Sequence, residues 1–291
     1  MNILDEYFEY LTTCAISHTT AVAYRRDVEN YKNYLGRRWK SGMLGATEDT
    51  VSEYLEILRL DGKTDATLHR NLVSLRSLYR FLKDTEKVPQ DPTASVHLEQ
   101  GKRKLPTILS EEEMERLLAQ PEENTLKGCR DKAMLELLYA TGMRVSELIG
   151  LDMAEIDFGN GSVYLESGER SRFIPLGRAA VRALDEYMKK ARPMMAKDDS
   201  PALFLNLGGK RISRQGFWKI IKEYQEKAGI TAHITPHTLR HSFASHLLQN
   251  GADLSLIQEM LGNSDPAYTR IYLDVKENRI AEEYKKAHPR A

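Results

Sequence analysis

The sequence predicts a mainly α-helical protein of two domains, the second carrying one small β-hairpin. Three observations lead there. Apolar residues recur at helical spacing through most of the chain; residues 162–176 read instead as two short strands around a glycine-containing turn; and a basic run near residue 101 interrupts the periodicity between two helical blocks.

In the first block Leu4, Tyr7, Phe8 and Leu11 share a helical face. Tyr24, Val28, Tyr31 and Leu35 form the next stripe, followed by Val51, Tyr54, Leu55 and Leu58, and then by Leu68, Leu72, Leu75 and Tyr79. Four such amphipathic helices can bury their stripes against one another, so residues 1–100 are expected to form a small bundle. The run from Gln100 to Pro106 contains glycine, proline and Lys102-Arg103-Lys104 without periodicity, and reads as an exposed basic linker over 101–107.

The second domain, 108–291, opens at Ser110-Glu111-Glu112-Glu113, a capping box. An apolar helix through Ala133, Met134, Leu137 and Leu138 should end at Gly142, with a new helix from Val145. The hairpin follows, then a short apolar strand over 202–205 and a helix burying Phe217, Ile220, Ile221 and Tyr224 before Gly229. Thr235-Pro236 supplies an N-cap with proline at the first helical position, and Gly262 is expected to stop the next helix. Asp265-Pro266 opens a segment bearing Tyr272, and residues 276–287 suit a terminal helix with Ile280 and Tyr284 as apolar anchors.

Composition restricts the function classes. Cys14 and Cys129, the chain's two cysteines, can build neither a disulfide framework nor a zinc site, so a reducing, cytoplasmic setting is expected. No signal peptide or membrane-length apolar run stands out, so no membrane partner is expected. The 42 basic residues are balanced by 42 acidic ones, unusual for a protein that neutralises DNA phosphates. Local basic clusters do occur, at Arg25-Arg26, Arg37-Arg38 with Lys40, Lys102-Arg103-Lys104, and Lys210-Arg211 with Arg214.

Two distant segments carry the chemistry: residues 141–148, with Arg144 at a helix-to-helix corner, and the stretch from His237 to Tyr272. A phosphodiester can be opened without metal or nucleotide if cations neutralise the in-line transition state and a side-chain hydroxyl attacks and keeps the phosphate. His237 and Arg240, three residues apart at a helix start, share a face. Two arginines, a histidine and a tyrosine are the parts required, and no cofactor is called for.

These segments, with Thr20–Asp27, Leu75–Leu82, Asp91-Pro92-Thr93 and above all Pro236–Leu248 followed by Asn250-Gly251-Ala252-Asp253, resemble the tyrosine recombinases of the phage integrase family, most closely the bacterial Xer type. The resemblance implies a SAM-like core-binding domain before a mixed α/β catalytic domain. It also implies double-stranded DNA as partner and strand exchange through a 3′-phosphotyrosine. Arg144, His237, Arg240 and Tyr272 match the family residue by residue; family spacing alone prefers Tyr272 to Tyr268. Four protomers on two duplexes are implied, as a homo-oligomer or with a paralogous recombinase, passing C-terminal segments between neighbours.

Two positions depart from the family. Its hairpin-turn lysine, which the resemblance makes the acid for the leaving 5′-oxygen, is missing: the turn is about one residue short, with Ser167 nearest and Arg170 beyond. Asn263 stands where a histidine is usual, nine residues before Tyr272. An amide can still donate to a phosphate oxygen, whereas a guanidinium such as that of Arg170 stabilises charge but holds its proton too tightly to be an efficient acid. Arg170 and Arg172 are candidate DNA contacts, Arg172 also a structural one. Two alternatives follow, a catalytically weakened or inactive DNA-binding relative that partners an active enzyme, and a type IB topoisomerase-like relaxing enzyme.

Overall fold

The structure, a computed structural model, describes residues 3–14, 16–39, 42–99, 106–167, 170–197 and 199–262. The chain divides into two compact units, Met1–Arg103 and Lys104–Ala291. The expected linker residues Lys102, Arg103 and Lys104, and everything expected after Gly262, including Asn263, the Asp265-Pro266 cap, Tyr272 and the terminal helix, lie outside the described residues.

The first unit is the expected four-helix bundle: α1 (Ile3–Thr13), α2 (His18–Arg38), α3 (Glu48–Leu60) and α4 (Asp65–Asp84). Ser17 and Thr64 cap α2 and α4 by accepting from Thr20 and Thr67 backbone N–H groups. The apolar stripes meet in a tyrosine-rich core, where Tyr7, Tyr31 and Tyr79 are fully buried and the Tyr31 and Tyr54 rings lie 5.0 Å apart. One charge is buried with them. Asp27 accepts from the Ser74 hydroxyl at 2.8 Å and pairs with Arg70 at 3.0 Å; burial still raises its pKa against these two partners.

In the second unit α5 (Glu111–Leu118) starts at the Ser110–Glu113 capping box read from the sequence. The central helix α6 (Leu126–Thr141) is buried on nearly all sides, including all four predicted apolar residues. Short α7 (Val145–Gly150) leads into an antiparallel sheet of β1 (Ile156–Asp157), β2 (Ser162–Ser167) and β3 (Arg170–Pro175), in the order β1-β2-β3. Ser167 pairs with Arg170 at the end of the β2–β3 ladder. Val163, Leu165 and Ile174 bury the inner face.

Helix α8 (Arg178–Glu186) continues through one π-helical turn (Tyr187–Ala191) into α9 (Arg192–Met195), and α10 (Arg214–Lys227) buries its four predicted residues. The expected strand over 202–205 is not one: these residues are fully buried but make only isolated bridges, Asp152 to Ala202 and Leu205 to Arg211. Leu203 N donates to Leu151 O and Phe204 O accepts from Ile212 N, and side chains satisfy much of the rest of the backbone. Arg192 donates to the Ala202 and Leu203 carbonyls, the Tyr187 hydroxyl joins Leu203 O and Leu205 N at 3.1 Å each, and Arg130 donates to Leu205 O. Arg130 is held by Asp131, whose other oxygen accepts from the Tyr224 hydroxyl at 3.0 Å on α10. Helices α11 (Pro236–Gln249) and α12 (Leu254–Leu261) complete the described unit.

Candidate active site and its family

Two glycine caps set the geometry. Gly142, at φ 58°, ends α6 by donating to Leu138 O and turns the chain so that Arg144 becomes the N-cap of α7. A Cβ there would lie 2.3 Å from the Phe243 ring, so no larger residue fits this corner. Gly262, at φ 61°, ends α12 in the same left-handed way. Between them α11 begins with Thr235 and Thr238 bonded reciprocally, side chain to backbone, and Pro236 at its first position. His237 and Arg240 therefore sit on its opening turn.

Three guanidiniums converge on the last carbonyls of α12. Arg172 Nε donates to Met260 O at 2.9 Å, Arg240 Nη2 to Leu261 O at 2.7 Å and Arg144 Nη2 to Gly262 O at 3.4 Å. Arg240, 6 % exposed, also donates from Nη1 to Gly142 O at 2.7 Å, so one guanidinium joins both glycine-capped corners. Helix C-termini carry partial negative charge, which favours cations there. Glu147 adds a full charge: Oε2 accepts from the Arg144 N–H at 2.7 Å and from Arg172 Nη2 at 2.9 Å, while Oε1 accepts from Arg144 Nη1 at 3.1 Å. Burial would raise its pKa, but hydrogen bonds from Arg172 and the Arg144 backbone, with both positive charges, hold it below the ordinary range.

The histidines divide by role. His237 lies exposed beside this cluster, and partial loss of hydration together with the positive charges of Arg240, Arg144 and Arg214 lowers its pKa. Its imidazole is neutral at neutral pH and able to accept a proton. His241, one turn on with its ring 6.5 Å away, is pushed down to about 4 by burial, then by His237 and Arg240. His246 is a buried core residue: Nε2 meets Leu109 O at 2.9 Å, an acceptor only, so Nε2 carries the proton and Nδ1 accepts from the Tyr139 hydroxyl at 2.8 Å.

Other predicted DNA contacts are placed unevenly. Arg26 and, in the second unit, Lys210 and Arg214 are exposed, Arg214 as the first residue of α10. Arg25 pairs with Glu29 at 3.0 Å and lies over the Phe8 ring. Arg211 donates to the carbonyls of Ile149, Gly150 and Leu151 and pairs with Asp152, capping the end of α7. The Arg172 side chain is 9 % exposed and committed to Glu147 and Met260, which makes it an internal strut rather than a basic surface. Arg170 begins β3 opposite Ser167. Glu147 was not singled out from sequence; its signal is the spacing Arg144-x-x-Glu147 across a helix start, which satisfies a capping box.

A family profile described as phage integrase family matches residues 107–279, and one described as the phage integrase N-terminal SAM-like domain matches residues 4–86. The chain belongs to the phage integrase family, as a Xer-type tyrosine recombinase. The tyrosine recombinase XerD of Oceanobacillus iheyensis is 42% identical over 297 residues, covering 99% of this chain and 98% of that protein. That of Staphylococcus epidermidis is 41% identical over 292 residues, covering 99% of each. Among solved structures, a XerH site-specific recombinase bound to a palindromic difH substrate after cleavage shares the fold, with a TM-score of 0.78 at 22% identity over 90% of this chain and 78% of the other.

Proposed function

We propose that this phage integrase family member is a site-specific recombinase that cuts and rejoins duplex DNA through a 3′-phosphotyrosine at Tyr272. The observation that carries the reading is the set of guanidiniums anchored on the carbonyls of residues 260–262 beside a neutral His237. Donors fixed before the substrate arrives spend little energy on reorganisation when charge builds on phosphorus. Arg144 and Arg240 bind the non-bridging oxygens, His237 takes the phenol proton as Tyr272 attacks, and Asn263 donates to the same phosphate. The tyrosyl phosphodiester then preserves the bond energy for rejoining.

Exposed Arg26, Lys210 and Arg214, with Lys102, Arg103 and Lys104, supply phosphate contacts along the duplex. Four protomers act on two sites, as one chain or with a paralogous recombinase, in the cytoplasm; among the described residues no helix is long and apolar enough to cross a membrane. The full-length relatives are named as tyrosine recombinases, which favours an active enzyme over the inactive DNA-binding reading.

Tyr272→Phe is the direct test. On a nicked duplex that traps cleavage, wild type should form a covalent protein–DNA adduct and Tyr272→Phe none. DNA affinity should stay within about a factor of ten, ~1.4 kcal/mol, because only the attacking oxygen is deleted. Tyr268→Phe should keep the adduct. An adduct surviving at Tyr272→Phe would assign the nucleophile elsewhere.

A further inference from the structure

Arg172 lies outside the set that touches phosphate in the reading above, yet it closes a ring of contacts through that set. From Met260 O the path runs through Arg172 to Glu147, from Glu147 to Arg144, and from Arg144 back to Gly262 O. The ring links β3, α7 and the end of α12, elements far apart in sequence. Its centre is dry: Glu147 and Arg172 side chains are each 9 % exposed. The fit is tight as well, since a Cβ on Gly262 would lie 2.9 Å from Arg172 Nη1.

We propose that Arg172 is a positioning residue for strand cleavage: through Glu147 it fixes the aim of Arg144, and through Met260 O it fixes the helix end on which the guanidiniums rest. The inference rests on the recombinase reading. Arg144 is 37 % exposed and, on that reading, faces the substrate, so its direction depends on what grips it from behind. Glu147 by itself is tied only within α7, through its bond from the Arg144 backbone N–H. Arg172 adds a tie from outside by holding the same carboxylate from β3 while its Nε is tied to α12. A lysine cannot do both, because one ammonium on a flexible stem lacks the planar fork that spans two acceptors.

The experiment measures, for the full-length protein, the affinity for intact duplex and the single-turnover rate of adduct formation on nicked duplex at saturating protein. Arg172→Met should slow the saturated rate ~10–100-fold, the scale on which misplacing a catalytic group acts, with Kd within about threefold. Arg172→Lys should recover part of that rate. Because the effect travels through Glu147, Arg172→Met combined with Glu147→Gln should be little slower than the worse single variant. A wild-type rate in Arg172→Met, a Kd that weakens in step with the rate, or losses that multiply in the double variant would each overturn the inference. If Arg172→Met does not fold, Arg172→Lys decides: a several-fold slower rate at unchanged Kd supports the strut, and an unchanged rate removes it. A wild-type protein that forms no adduct overturns the recombinase reading and this inference with it, whereas a wild-type adduct with unaffected variants overturns this inference alone.

Discussion

At Gly142 the backbone turns left-handed within contact distance of Phe243, and the carbonyl this exposes is the one that Arg240 grips at 2.7 Å. Residue choice here is dictated by shape, and charge choice follows from it. The neighbouring histidine shows the reverse dependence. His241 takes up a proton at its ordinary 6.5 when unfolded but only at about 4 when folded, because burial, His237 and Arg240 all oppose the charge. Its contribution to stability is therefore complete above pH ~6.5 and is lost as pH falls toward ~4, where the unfolded chain binds a proton that the folded protein refuses. His241→Asn should flatten this part of the acid-side decline in melting temperature. Parallel wild-type and variant melting curves against pH would show instead that the ring is not held neutral.

Elements positioned by their own ends were legible in the sequence, and those held by distant side chains were not. The Ser110 and Thr235 caps, the stops at Gly142 and Gly262, and the buried stripe of α10 all stand where local spacing puts them, because capping and amphipathicity act within a few residues. The segment 202–205 looked like a strand because it is apolar and short, yet it makes only isolated bridges and much of its backbone is paired by Arg130, Tyr187 and Arg192. Nothing local announces such partners. The same limit hid the joint hold of Glu147 and Arg172 on Arg144, which forms between residues 25 apart. The hairpin was legible in position: Ser167 pairs with Arg170, and the sequence places Gly168 and Glu169, not a lysine, between them. If departure of the 5′-oxygen limits the reaction for want of an acid, a substrate with bridging sulfur at that position should be cleaved much faster, since a thiolate leaves without a proton. Equal rates on the two substrates in single-turnover assays would mean that another group already delivers the proton.

For the whole molecule the governing number is the balance of 42 basic against 42 acidic residues. Long-range attraction to DNA is then weak, and binding depends on local clusters whose counterions are released on contact. Affinity for duplex DNA should still fall ~10³–10⁵-fold between ~50 and ~200 mM salt, as for a protein contacting ~6–10 phosphates. A titration that is flat across this range would rule out binding through these phosphate contacts. The anchoring of Arg144, Arg172 and Arg240 on residues 260–262 also has a meaning in time. A chain made from its N-terminus acquires all three arginines well before it acquires the carbonyls that aim them. While the ribosome is still adding those residues, the growing chain holds the cations but not their shared anchor. Synthesis itself thus postpones the aiming of the arginines until the last turn of α12 has emerged and closed, and cutting, which on the proposed reading needs Tyr272, comes later still.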